Sequence, residues 1–96
     1  MPYPIRIHPG EMLREEFLKP LKISTNALSI AIGVPASRMH EIVKERRGIS
    51  ADTALRLSLY FGNSAQYWLN LQNTYDLFML QDNRSDEFKR IPRIAI

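Results

Sequence analysis

Apolar residues recur along this chain at intervals of three and four, the period of an α-helix, and proline, glycine and hydroxyl residues cut the pattern into five stretches. The pattern predicts helices over about residues 9–19, 25–32, 35–44, 51–61 and 65–81, followed by a charged tail over 82–96, in one all-α domain spanning 1–96. Pro9 suits a first helical turn, Leu13 and Phe17 share a face beside Met12, and Pro20 is expected to end the first helix. The second takes Ser24 or Thr25 as its N-cap, buries Leu28 and Ile32, places small Ser29 at a crossing, and stops at Gly33. The third starts at Pro35 and turns Met39, Ile42 and Val43 inward. Ser50 caps the fourth, whose stripe of Ala54, Leu57 and Phe61 is widened by Leu55 and Leu59, and Gly62 ends it. Ser64 caps the fifth, which lines up Trp68, Leu71, Tyr75, Phe78 and Met79. Its apolar arc exceeds what a small core needs, with Tyr67 on one margin and Leu69, Leu77 and Leu80 on the other. That excess implies a second partner surface, and Tyr67, Leu77, Phe78 and Leu80 are the expected dimer interface.

The ends read differently. Pro2 and Pro4 hold residues 2–7 extended, and Ile5 and Ile7, like Ile94 and Ile96, alternate as in a short strand. These segments either pair with each other or offer an edge to a protein partner.

The second and third predicted helices, joined at Gly33, read as a helix-turn-helix. Inward packing of Met39, Ile42 and Val43 leaves Ala36, Ser37, Arg38, His40, Glu41 and Lys44 outside. An arginine fork beside short side chains near a helix N-terminus is the chemistry that reads base edges in the major groove. The DNA-contact set is therefore expected to be Ser24, Thr25, Asn26, Pro35, Ala36, Ser37, Arg38, His40, Glu41, Lys44, Arg46 and Arg47. Two helices about a glycine also occur in cores that touch no nucleic acid. Lys44, Arg46 and Arg47 favour the DNA reading because they follow the candidate recognition helix where phosphates would lie, although Glu41 and Glu45 partly cancel their charge.

Thirteen basic against ten acidic residues in a chain of 96 give a formal charge of +3, which permits nucleic-acid binding without demanding it. A domain this small buries a modest fraction of its surface, so dimerisation would help it. The absence of cysteine excludes disulfides, thiolate zinc sites and thiol nucleophiles. No signal peptide and no membrane-length apolar run is visible, so a cytoplasmic location is expected. Catalysis is not expected. His40-Glu41 opens like a zincin motif, but Lys44 stands where the second histidine is needed. His8 is expected to cap or pack, Glu15-Glu16 and Asp86-Glu87 are solvated charges, and no metal or cofactor is expected.

Several motifs in order resemble the HigA family, helix-turn-helix antitoxins of bacterial toxin-antitoxin modules within the Xre-type repressors. They are His8-Pro9-Gly10-Glu11 leading to Glu16-Phe17-Leu18, Gly33-Val34-Pro35 with Arg38-Met39-His40-Glu41-Ile42, and the run Ile49 to Leu57. Phe61-Gly62-Asn63-Ser64, Trp68-Leu69-Asn70-Leu71-Gln72 and Tyr75-Asp76-Leu77 complete them. The resemblance implies a five-helix lambda-repressor-like domain that dimerises, binds an operator upstream of its own genes, represses its operon and neutralises a RelE/HigB-like ribonuclease toxin. Glu45 stands where the family often has glycine, and Ser29 replaces a common alanine. A solitary Xre-type repressor with no toxin partner, and an interaction domain that has lost DNA binding, are the alternatives.

Overall fold

The computed structural model describes residues 6–96, and among them it holds six helices and no strand. Helix α1 covers residues 9–21, α2 Thr25–Ile32, α3 Ala36–Val43, α4 Ala51–Phe61, α5 Ala65–Asn83 and α6 Ser85–Phe88. The core is Leu13, Leu18, Leu28, Ile32, Val34, Met39, Ile42, Ile49, Ala54, Leu57, Trp68 and Leu71; Leu18 and the loop residues Val34 and Ile49 join inward positions of the apolar period. Phe17 lies between Phe61 and Trp68, with ring centroids 4.9 and 5.1 Å away.

The caps follow local chemistry. Ser24, Ser50 and Ser64 each accept the backbone N–H three residues on, at 3.0, 3.3 and 3.0 Å, satisfying donors that a helix start leaves orphaned. Gly33 closes α2 in the left-handed region at φ 71°, and Val34 returns its N–H to the Ser29 carbonyl.

Helix α1 departs from expectation by running through Pro20 to Leu21. Its middle, Leu13–Leu18, is a π-helix, and the Lys19 N–H reaches back five residues to the Arg14 carbonyl. A proline in regular α-helix presses its ring on the carbonyl four residues earlier and breaks one hydrogen bond; the wider π turn relieves that contact, so the helix continues. Pro35 is the N-cap of α3 and Lys44 its C-cap, so neither is inside the helix; Pro35 has ψ 138°, an extended value that no helical residue takes. Helix α5 runs two residues past the expected Gln81. Residues 85–88 add the short α6 within the stretch expected to be tail.

Residues 91–96 form no strand, and Ile91, Ile94 and Ile96 are exposed. Ile7 is half-buried, while Ile5 and most of the expected extended segment 2–7 lie outside the described residues. Leu55 and Leu59 do not widen the core stripe: Leu59 is 78% exposed and Leu55 54%. Both lie on the outer side of α4, which packs on α2 and α5 through Ala54, Leu57 and Ser58 instead.

His8 caps α1, its Nδ1 accepting the Gly10 N–H at 2.9 Å, and its ring stands edge-on to Tyr75 at 5.0 Å. Burial pushes this imidazole below its ordinary 6.5, against the upward pull of the Glu45 and Asp76 carboxylates. The unfolded chain therefore binds the proton first as pH falls, and protonation also removes the capping acceptor. Stability is expected to be full above about pH 6.5, to decline as pH drops from there toward the lower folded value, and to lose nothing more from this group below it. His8→Asn keeps a capping oxygen and does not titrate; in melts taken between about pH 7 and 5 it should flatten this part of the profile. An unchanged slope would contradict the assignment.

Candidate nucleic-acid interface

Helices α2 and α3 meet about the Gly33 turn, and each is anchored from behind by an arginine of another helix. Arg56 of α4 donates through Nη1 to the Ile32 carbonyl at 2.8 Å, satisfying a carbonyl that the end of α2 leaves orphaned. Arg14 of α1 donates through Nη1 to the Val43 carbonyl at the end of α3, and through Nη2 to Glu45 at 3.2 Å. Gly10 packs its backbone directly on the Ile42 carbonyl. The recognition helix is thus held on α1 by a backbone contact and an arginine clamp.

On the outer side of α3, Ala36, Ser37, His40 and Lys44 are exposed, as the sequence pattern requires. Arg38 and Glu41 are half-buried rather than open. They sit against the chain that returns from α3 to α4, in a cleft lined by Pro35, Ser37, Arg38, Glu41 and Arg47. A neighbouring cleft joins Arg38 and Arg47 to Gly48, Ser50 and Thr53. Arg38 and Arg47, nine positions apart in sequence, therefore share one open depression beside the helix. Among the described residues the side chains of Arg38, Lys44, Arg46 and Arg47 make no hydrogen bond or ion pair, so their donors face solvent.

Glu45 answers the departure from glycine noted above. It adopts φ 64°, and the closing bonds form regardless, Glu45 N–H to Ile42 and Arg46 N–H to Glu41 at 2.9 and 2.8 Å. The turn stays tight. Its carboxylate is drawn onto Arg14 of α1, which leaves Glu41 as the acidic residue within the depression.

Ser24 spends its hydroxyl on the cap of α2, Thr25 is half-buried, and Asn26 is exposed with its Oδ1 3.0 Å from His40 Nε2. That contact ties the first turn of α2 to the outer face of α3. All twelve expected DNA contacts thus fall on the two helices, their N-caps Ser24 and Pro35, and the loop after them.

The expected dimer residues divide. Leu77 and Leu80 are 59% and 40% exposed on the carboxyl half of α5. Phe78 is half-buried with the Arg6 guanidinium 4.4 Å over its ring, and Tyr67 is half-buried edge-on to Trp68. The bracing roles of Arg14, Arg56 and Gln72, whose Oε1 takes the Ile49 N–H at 2.7 Å, escaped the sequence reading, although Arg56 and Gln72 stand within its motifs. The backbone groups they hold lie 23 to 29 positions away, and no local periodicity marks such pairs. No helix among the described residues is long and apolar enough to cross a membrane.

No family model matches the chain. It is 59% identical over 78 residues to virulence-associated protein I of Dichelobacter nodosus, covering 81% of this chain and 72% of that one. It is 34% identical over 87 residues to antitoxin HigA-1 of Vibrio cholerae, covering 91% and 82%. The fold matches antitoxin HigA of Pseudomonas aeruginosa, solved with the higBA promoter, at a TM-score of 0.88 and 46% identity over 93% of this chain and 98% of that one.

Proposed function

The chain belongs to the HigA family of helix-turn-helix antitoxins, and from that premise we propose that it binds an operator upstream of its own genes, represses that operon and neutralises a RelE/HigB-like ribonuclease toxin. The observation that carries the DNA reading is the depression shared by Arg38 and Arg47, two unpaired cations beside the exposed N-terminal half of α3. A helix N-terminus in the major groove places its first residues at base edges, and the cations that follow meet the backbone.

Roles follow from position. Ala36, Ser37 and Arg38 read bases; Ser24, Thr25, Asn26, Lys44, Arg46 and Arg47 hold phosphates; Pro35, His40 and Glu41 complete the surface. The five helices α1–α5 form the lambda-repressor-like unit of a single domain, and the protein works in the cytoplasm as a binding protein rather than an enzyme. A recognition helix reads only a few base pairs, so the active species is a two-fold dimer with half-sites one helical turn apart. Leu77 and Leu80 pack across that two-fold beside half-buried Phe78, and Tyr67 extends the interface toward the amino end of α5. The toxin docks away from the groove-facing surface, on one of the two chain ends.

Mobility shifts at two salt concentrations test the DNA assignment. Arg38→Ala should cost roughly 1–3 kcal/mol on operator DNA and relax preference at one base pair per half-site. Arg47→Ala should weaken operator and random duplexes alike and reduce the salt slope by about one per subunit. Equal losses on both DNAs for Arg38→Ala would refute its base-reading role. Rescue of growth by this chain, when co-expressed with the toxin encoded beside it, tests the antitoxin half; absence of rescue with intact operator binding leaves a solitary repressor.

A further inference from the structure

Lys22 closes α1 in left-handed backbone at φ 56°, a position where glycine escapes the steric penalty that every other L-residue pays. The closing bonds hold it there, Lys22 N–H to the Lys19 carbonyl at 3.1 Å and Ile23 N–H to the Leu18 carbonyl at 2.9 Å. Its side chain is exposed, and among the described residues it makes no hydrogen bond or ion pair. A cation kept at a strained, unpartnered position asks for a ligand.

The surroundings identify one. Lys22 lines an open groove with Arg14, Lys19, Ser24, Thr25 and Val43, and no carboxylate lines it. The other two cations are engaged: Arg14 by the Val43 carbonyl, Glu45 and Glu15, and Lys19 by Glu15 at 2.8 Å. Those two together hold the Glu15 carboxyl below its usual range. Lys22 is the cation with free donors.

The groove opens beside the recognition helix, on the side away from Arg38. At about 100° per residue, His40 and Val43 lie roughly opposite Arg38 around α3. Val43 forms a wall of the groove, and Asn26, next to Thr25, touches His40. Cations therefore flank α3 on both sides: Arg47 with Arg38 on one, Lys22 on the other. A helix lying in the major groove has a phosphate backbone on each side of it. We propose that Lys22 grips a DNA backbone phosphate on the flank of the half-site opposite Arg47, with the Thr25 hydroxyl beside it, so that each subunit straddles the groove. This rests on the operator-binding reading above.

Lys22→Gly separates binding from folding, because the two should move in opposite directions. Release of the left-handed strain should raise Tm by a few degrees. Affinity for a duplex taken from upstream of the gene should fall about tenfold, and equally on random duplex, with the log Kd against log salt slope reduced by about one per subunit. Lys22→Arg should restore affinity and slope. Undiminished affinity with an unchanged slope for Lys22→Gly would overturn the proposal while leaving operator binding intact, and so would an affinity loss accompanied by a lowered Tm. If the unaltered protein shifts no upstream duplex, the operator reading itself fails and takes this inference with it.

Discussion

Gly10→Ala is expected to destabilise the protein by about 3 kcal/mol or more, at or beyond the top of the usual overpacking range, and to abolish operator binding along with it. A Cβ at position 10 would fall inside the Ile42 carbonyl oxygen and press on the carbonyl carbon, 2.9 Å away. Neither obstacle is a flexible side chain. Both belong to the backbone of α3, so relief requires the recognition helix to move off α1, which strains the Arg14 clamp on the Val43 carbonyl as well. Gly62→Ala is the matched control. Its φ of 79° carries the left-handed penalty, but nothing lies within 4 Å of the added carbon, so it should cost about 1 kcal/mol and leave DNA binding at full strength once folded. Denaturant melts of the two variants, with mobility shifts on the same samples, check the contrast; comparable losses for both would show that α1 and α3 are not locked through this contact.

The second large effect is expected at the far end of α5. Leu77→Asp combined with Leu80→Asp should leave secondary structure unchanged, since both side chains are exposed, and should reduce the mass in solution to the 11.1 kDa of one chain. Operator affinity should then fall by roughly 10²–10⁴-fold, because binding of the second half-site ceases to be intramolecular. Placement supports the choice. Gln72 bonds the Ile49 N–H just beyond the Arg46–Gly48 loop, and Asp76 lies one turn further at 2.9 Å from Gln72. The helix there passes the α1 amino end, where His8 meets Tyr75 and Arg6 meets Phe78. Light scattering at micromolar concentration, paired with operator titrations, reads both quantities. A dimeric mass for the double variant would move the interface elsewhere, and the exposed Leu55 and Leu59 of α4 would be the next face to alter.

Both effects concern how α3 is presented, rather than its reading surface. Three supports converge on the helix-turn-helix: Arg56 on the Ile32 carbonyl of α2, Arg14 on the Val43 carbonyl of α3, and Gly10 beneath Ile42. Each uses a group that cannot be replaced by another of similar size without leaving a carbonyl unsatisfied or creating a clash. Base recognition tolerates little displacement, because a bidentate arginine contact requires its hydrogen bonds at ordinary lengths.

What the sequence determined by itself was local. The i, i+3, i+4 recurrence picked out Leu28, Ile32, Met39, Ile42, Ala54, Leu57, Trp68 and Leu71 as buried positions, because a helix repeats its faces within one or two turns. Serine caps at 50 and 64, a cap at Ser24 or Thr25 that the structure assigns to Ser24, and the glycine stop at 33 were legible for the same reason, since each acts on backbone groups within a few residues. The twelve candidate DNA contacts could be grouped from the sequence because they cluster on one motif. Tertiary structure alone decided the rest. Leu55 and Leu59 fit the helical period of α4 and yet lie outside, because burial depends on which neighbour packs there. Arg38 shares a depression with Arg47 only because the loop after α3 folds back. Pro20, normally a stop, is carried through by a π turn whose geometry no residue pattern announced. Glu45 and Lys22 hold left-handed backbone because long-range packing of α1 and α3 fixes where the chain must turn, and the strain of a side chain there is smaller than the loss of that packing.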